Sequence, residues 1–169
     1  MNYLITVDLD KCTGCHICEL ACSLYNMKEC NPEKSRIRIV RSEIDGLIYT
    51  IPTLCQQCET PMCMEMCPIG AIERNADTGA LIVDEERCIG CRRCVNACPY
   101  GAIVVDPDTH IASKCTLCDG EPKCVEFCPK DALEYVRADR ISIKKRRESI
   151  DKFLEYQKVL ASSSVEGEE

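Results

Sequence analysis

Sixteen of the seventeen cysteines in this chain fall into four groups of four, and clustered thiolates are ligands for soft metal centres. Cys12, Cys15 and Cys18 stand two residues apart, and Cys22 follows after three more. Cys88, Cys91, Cys94 and Cys98 repeat that spacing. Cys55, Cys58, Cys63 and Cys67 widen the middle gap to four residues; Cys115, Cys118, Cys124 and Cys128 widen it to five. A proline follows Cys67, Cys98 and Cys128. A cube of iron and sulfide needs thiolates at four tetrahedral corners. Three closely spaced cysteines can wrap one cube in a tight loop, and the fourth is carried off to ligate another. Structural zinc needs only two Cys-x2-Cys pairs to close its site and has no use for this repeat. The arithmetic predicts four [4Fe–4S] clusters on these sixteen residues, with Cys30 left over.

Composition agrees with metal as the organiser. About one residue in ten is cysteine, there is no tryptophan, and only two phenylalanines are available as large core anchors. Cluster binding then supplies folding free energy that a hydrophobic core would otherwise supply. The start, Met1 to Asp8, shows neither a basic n-region nor an apolar h-region, and no apolar run is long enough to span a bilayer. The expectation is a cytoplasmic protein with reduced thiols, which argues against a disulfide framework. A formal charge of −7 excludes the basic footprint of a nucleic-acid binder. Oxidised cubes add roughly −2 each, so backbone N–H groups must be aimed at the sulfurs.

The elements that must position these loops are short. Leu4–Val7 reads as a strand before the first group, and Ala132–Val136 as one after the fourth. Arg36–Val40 and Leu47–Ile51 flank Asp45-Gly46 as a hairpin. Ala71–Arg74 with Ala80–Val83, and Ala102–Val105 with Ile111–Ser113, read as two more hairpins. The residues before each trailing cysteine read as single helical turns, which proline ends. Gly14 and Gly90 are expected to let backbone approach sulfur closely. From about Lys145 to Ala161, apolar residues recur at helical spacing, and the last eight residues read as a solvated tail.

Groups that exchange their fourth cysteines must lie side by side. If groups two and three pair across their hairpin, groups one and four must pair, framed by the two terminal strands. That nested arrangement gives Cys12/Cys15/Cys18/Cys128, Cys22/Cys115/Cys118/Cys124, Cys55/Cys58/Cys63/Cys98 and Cys67/Cys88/Cys91/Cys94. A sequential arrangement, one with two and three with four, remains open at this point.

Two stretches carry a family resemblance. Cys55-Gln-Gln-Cys58-Glu-Thr-Pro-Met-Cys63 with Cys67-Pro68-Ile69-Gly70-Ala71-Ile72 resembles the second group of four-cluster electron-transfer subunits of the DMSO-reductase type. Lys114-Cys115-Thr-Leu-Cys118 with Gly120, Pro122, Cys124 and Cys128-Pro129 resembles their fourth. Ser23 after Cys22 fits a first group without trailing proline, and sixteen intact cysteines fit four cubes rather than a three-iron variant. The resemblance covers about residues 3–137. It implies the nested pairing and an α+β fold of two interleaved ferredoxin-like units with short β-hairpins, plus a C-terminal amphipathic helix. The implied division is a double ferredoxin-like domain over 1–140, a helix over 141–161 and a flexible tail over 162–169. The short chain looks like the small subunits of cytoplasmic tungsten enzymes of the aldehyde oxidoreductase type, among them class II benzoyl-CoA reductase.

The function implied is a relay of single electrons between a soluble redox partner and a large tungsten- or molybdenum-pterin catalytic subunit of an anaerobic oxidoreductase. A free-standing polyferredoxin, or a subunit of a hydrogenase or formate dehydrogenase complex, is the alternative. No dinucleotide fingerprint and no nucleophile–base pair is readable, so no catalytic residue is expected and the chain is not an enzyme on its own. His16 and His110 read as surface or packing histidines without an acid–base partner. Cys30 reads as a buried or idle thiol, and Met62, Met64 and Met66 as gap-filling apolar contacts. Arg92-Arg93 reads as a solvated loop, and Lys144–Arg147 as the start of a helix that packs on its own domain or on a partner.

Overall fold

In chain order the elements are β1 (Tyr3–Val7), α1 (Ile17–Met27), β2 (Ile37–Ile44), β3 (Leu47–Leu54), α2 (Met62–Glu65), β4 (Ile72–Arg74) and β5 (Leu81–Val83). They continue with α3 (Arg93–Ala97), β6 (Ile103–Val105), β7 (Ala112–Lys114), α4 (Lys123–Glu126) and β8 (Leu133–Arg137). This computed structural model describes residues 2–140 together with residues 150 and 157. The rest of the expected C-terminal helix, including Lys144–Arg147, and the tail lie outside the described residues.

Among the described residues the strands form four two-stranded antiparallel sheets. The pair β1–β8 joins distant parts of the chain, in register from Tyr3 opposite Arg137 to Val7 opposite Leu133. Stacked Tyr3 and Tyr135 rings, 4.9 Å between centroids, cover one side of it. The hairpin β2–β3 turns in two residues, because Asp45 and Gly46 both adopt positive φ (51° and 75°). The β4–β5 and β6–β7 hairpins are turned by side chains that cap backbone. Asn75 Oδ1 accepts from the N–H of Asp77 and Thr78 at 2.9 and 3.0 Å. Asp106 Oδ1 accepts from Asp108 and Thr109 at 3.0 and 2.8 Å.

The helices differ in length for a local reason. Proline after Cys67, Cys98 and Cys128 holds α2, α3 and α4 to a turn or so, as expected. Ser23 replaces proline after Cys22, its backbone N–H remains available, and α1 runs on for 11 residues instead of one turn. It ends where Lys28 turns left-handed and donates its N–H to the Leu24 carbonyl at 3.1 Å.

Burial divides into two clusters. One holds Ile5, Ile37, Leu54, Leu117 and Leu133 with Cys18, Cys22 and Cys124, and with Cys115 and Cys128 at its edge. The other holds Ile72, Ile103 and Ala112 with Cys63 and Cys94, and with Cys67, Cys88 and Cys98 at its edge. Ile5, Leu54, Leu81 and Leu117 are almost wholly buried, each stabilising by about 1.5–3 kcal/mol. Around the first cluster α1 packs on α4; around the second α2 packs on α3.

Candidate metal centres

Helix α1 carries Cys18 and Cys22 one turn apart, both buried, on the side that meets α4. That contact brings the first group against the fourth. Cys22, Cys115, Cys118 and Cys124 border one pocket, walled by Ile5, Ile37, Leu54 and Leu117. Cys67, Cys88, Cys91 and Cys94 border a second, walled by Ile72, Val83 and Ala112. In each, three cysteines come from one group and the fourth is the trailing cysteine of another. Burial raises the Cys58 and Cys115 thiols, and the charges of Cys98 and Cys55 respectively add a smaller push in the same direction.

Each sulfur in these pockets is a free thiol. Burial pushes the Cys18 and Cys115 thiols up to about 12, the adjacent Glu19 carboxylate adding to the effect at Cys18. Burial likewise raises Cys55, Cys58, Cys94, Cys118 and Cys124, with neighbouring sulfurs reinforcing it at Cys124. Such thiols hold their protons at neutral pH unless a positive metal centre replaces them. The donor set therefore fits iron–sulfur cubes: all sulfur, buried or half-buried at fourteen of the sixteen positions, and gathered around pockets. Among the described residues no three His, Cys, Asp or Glu side chains converge as a single ion would require.

Donors to sulfur come partly from local turns. After three of the groups the sequence Cys-Pro-x-Gly/Asp puts Gly70, Gly101 and Asp131 at positive φ. The next N–H then turns back: Ala71 donates to Cys67 Sγ at 3.2 Å and Ala132 to Cys128 Sγ at 3.3 Å. Cys22, which lacks this turn, instead receives the Arg36 backbone N–H at 3.4 Å and the Asn26 side-chain amide at 3.6 Å.

Several neighbours escaped the sequence. Lys114 is 2% exposed, and its Nζ donates to Cys63 Sγ at 3.5 Å. Arg36 is braced by Asn26, Ser113 and Thr116, and its charge lowers the Cys118 pKa against the larger effect of burial. Gln57 is buried and bridges the second and fourth groups. Only the Lys-Cys motif hinted at the first of these; the other two had no local signal.

Some expectations change. His16 does have an acidic partner: its Nδ1 lies 2.6 Å from Oε2 of buried Glu19, whose Oε1 accepts the Ile39 N–H at 2.6 Å. That carboxylate ties the first group to β2. Gly14 and Gly90 also leave room for protein atoms. A Cβ at Gly14 would stand 2.6 Å from Thr50 Cγ2, and one at Gly90 would stand 2.8 Å from the His110 carbonyl oxygen. Cys30 is exposed, as are Met62 and Met66, and only Met64 fills the core. Arg92 borders the second pocket.

Thiols from different groups, brought together at pockets between short hairpins, define an iron–sulfur protein of the ferredoxin type. The chain belongs to the 4Fe-4S dicluster domain family, whose model matches residues 46–138, and a 4Fe-4S binding domain model matches residues 9–26. The chain is similar to the electron transport protein HydN of Escherichia coli (strain K12). The two are 40% identical over 174 aligned positions, spanning 87% of this chain and 97% of HydN. The B subunit of anaerobic dimethyl sulfoxide reductase from the same organism is 38% identical, over 83% of this chain and 76% of that subunit. Among solved structures, the active site complex BamBC of benzoyl coenzyme A reductase as isolated aligns at 26% identity and a TM-score of 0.47. That alignment spans 96% of each chain.

Proposed function

We propose that the protein is a cytoplasmic electron-transfer subunit that passes single electrons through four [4Fe–4S] clusters. It would connect a soluble redox partner with a tungsten- or molybdenum-containing catalytic subunit. The clusters supply one-electron chemistry; the chain supplies ligands, N–H donors, nearby cations and a shell that limits water. The nested ligand sets are Cys12/Cys15/Cys18/Cys128, Cys22/Cys115/Cys118/Cys124, Cys55/Cys58/Cys63/Cys98 and Cys67/Cys88/Cys91/Cys94.

One observation carries this reading: each pocket is bordered by three cysteines of one group and the trailing cysteine of its nested partner. The remaining two sets follow by complement. The β1–β8 ladder and the division of buried residues into two clusters support two interleaved ferredoxin-like units within residues 1–140. Similarity to a dimethyl sulfoxide reductase subunit supports a catalytic partner of that chemical class. A second reading, a free-standing polyferredoxin, is favoured by the near full-length match to a protein named simply for electron transport.

Anaerobic purification from the native host tests both. The subunit reading expects about 16 iron and as much acid-labile sulfide per chain by ligand counting, and a large partner at one-to-one stoichiometry. Zinc without sulfide would end either reading. A monomer that shuttles electrons by diffusion would favour the polyferredoxin.

A further inference from the structure

We infer that Lys114 tunes one centre selectively: its ammonium raises the reduction potential of the cluster held by Cys55, Cys58, Cys63 and Cys98. The inference rests on the nested four-cluster reading above.

Lys114 closes β7, and its side chain is among the most completely buried in the protein. An ammonium withdrawn from water needs an anion beside it. Among the described residues Lys114 makes no ion pair with a carboxylate; its Nζ reaches Cys63 Sγ at 3.5 Å instead. The thiolates of this centre are thus the counter-ion that makes the buried lysine tenable. Backbone continuity makes the placement rigid, because the next residue is Cys115, a ligand of the neighbouring set, and Gln57 ties that residue's carbonyl to the second group at 2.8 Å.

Reduction adds one negative charge to a centre and breaks no bond. A fixed cation in a medium of low dielectric stabilises the reduced form more than the oxidised one, and the potential rises. Among the described residues no other lysine hydrogen-bonds a cysteine sulfur. Arg36, beside Cys118, spreads its charge over a hydrogen-bonded network of Asn26, Ser113 and Thr116.

The test is an EPR-monitored potentiometric titration of anaerobic holoprotein, with dithionite as the electron donor, on wild type, Lys114→Met, Lys114→Gln and Lys114→Arg. With iron content unchanged, the Met and Gln variants should lower one midpoint by at least a tenfold change in the one-electron equilibrium constant, about 59 mV. The other three should move by less than a third of that, and the Arg variant should largely restore the first. The signal that moves should be the one altered in Cys98→Ser. Four unmoved midpoints, an equal shift in all four, or movement of a signal that Cys98→Ser leaves intact would overturn the assignment. Loss of iron from both Met and Gln variants, with retention in Arg, would also overturn it, making Lys114 structural. A wild type with fewer than four centres would bring down the reading underneath instead.

Discussion

Gln57 Nε2 donates to the Cys115 carbonyl at 2.8 Å, and its Oε1 accepts the Leu81 N–H at 2.8 Å. One buried amide, held at a φ of 48°, therefore fastens the loop of the second group to both the fourth group and β5. Gln57→Leu should orphan both backbone groups, at about 1–3 kcal/mol each. The temperature at which the visible cluster absorbance bleaches under argon should fall accordingly. An unchanged temperature for Gln57→Leu would show that the bridge is dispensable.

Gly90→Ala puts a Cβ 2.8 Å from the His110 carbonyl oxygen, at a backbone φ of +67°. Gly46→Ala has a φ of +75° but meets nothing within 4 Å. Both variants bear the left-handed conformation, at about 1–2 kcal/mol, and only the first adds a clash with backbone. Bleaching temperatures should rank wild type above Gly46→Ala and Gly46→Ala above Gly90→Ala.

Asp106 is held below the usual carboxylate range chiefly by the Thr109 N–H, with help from Asp108, the Thr109 hydroxyl and Lys34. A carboxyl whose folded pKa is depressed stabilises above its unfolded value and loses that contribution as pH falls through the folded one. Asp106→Ala should cost about 1–2 kcal/mol at neutral pH through lost capping bonds. Asp106→Asn should cost less, because Asn75 already turns β4–β5 the same way. The Asn deficit should stay constant from neutral to mildly acid buffer, where both pKa values are already exceeded. A deficit that changes across that interval would contradict the assignment.

Ligand pairing is readable by double substitution. In the nested arrangement Cys12→Ser and Cys128→Ser damage the same centre, so the double variant should lose about as much iron as either single one. Cys12→Ser with Cys67→Ser should lose about twice as much. The sequential arrangement predicts the reverse, and iron analysis with EPR distinguishes them.

Cys30 should be the one thiol open to alkylation in anaerobic holoprotein, since it is exposed and outside all four groups. Cys15 and Cys91 are equally exposed and should stay protected by their metal. Denaturation with iron removal should raise the labelled count to 17. Labelling at Cys15 or Cys91 in the holoprotein would remove that residue from the ligand set.

Much of this molecule follows from its sequence because cluster loops are local objects. Ligand spacing, the proline after three trailing cysteines and the turn residues Asp45-Gly46, Asn75 and Asp106 act over a few residues each. Strands β1 to β8 accordingly fall within a few residues of where alternation and turns put them. The length of α1 is equally local in origin, for Ser23 is visible beside Cys22; expecting a single turn there gives the missing proline too little weight.

The sequence by itself determined the number of thiolates, their grouping and the hairpins between them, since short-range stereochemistry limits each. Only the tertiary structure decided what surrounds the sulfurs. Lys114 beside Cys63, Gln57 beneath Cys115, Glu19 between His16 and Ile39 and Arg36 near Cys118 are mostly long-range meetings. They depend on how separately formed loops settle against one another, and a buried polar side chain reveals its partner only after water has been excluded from both.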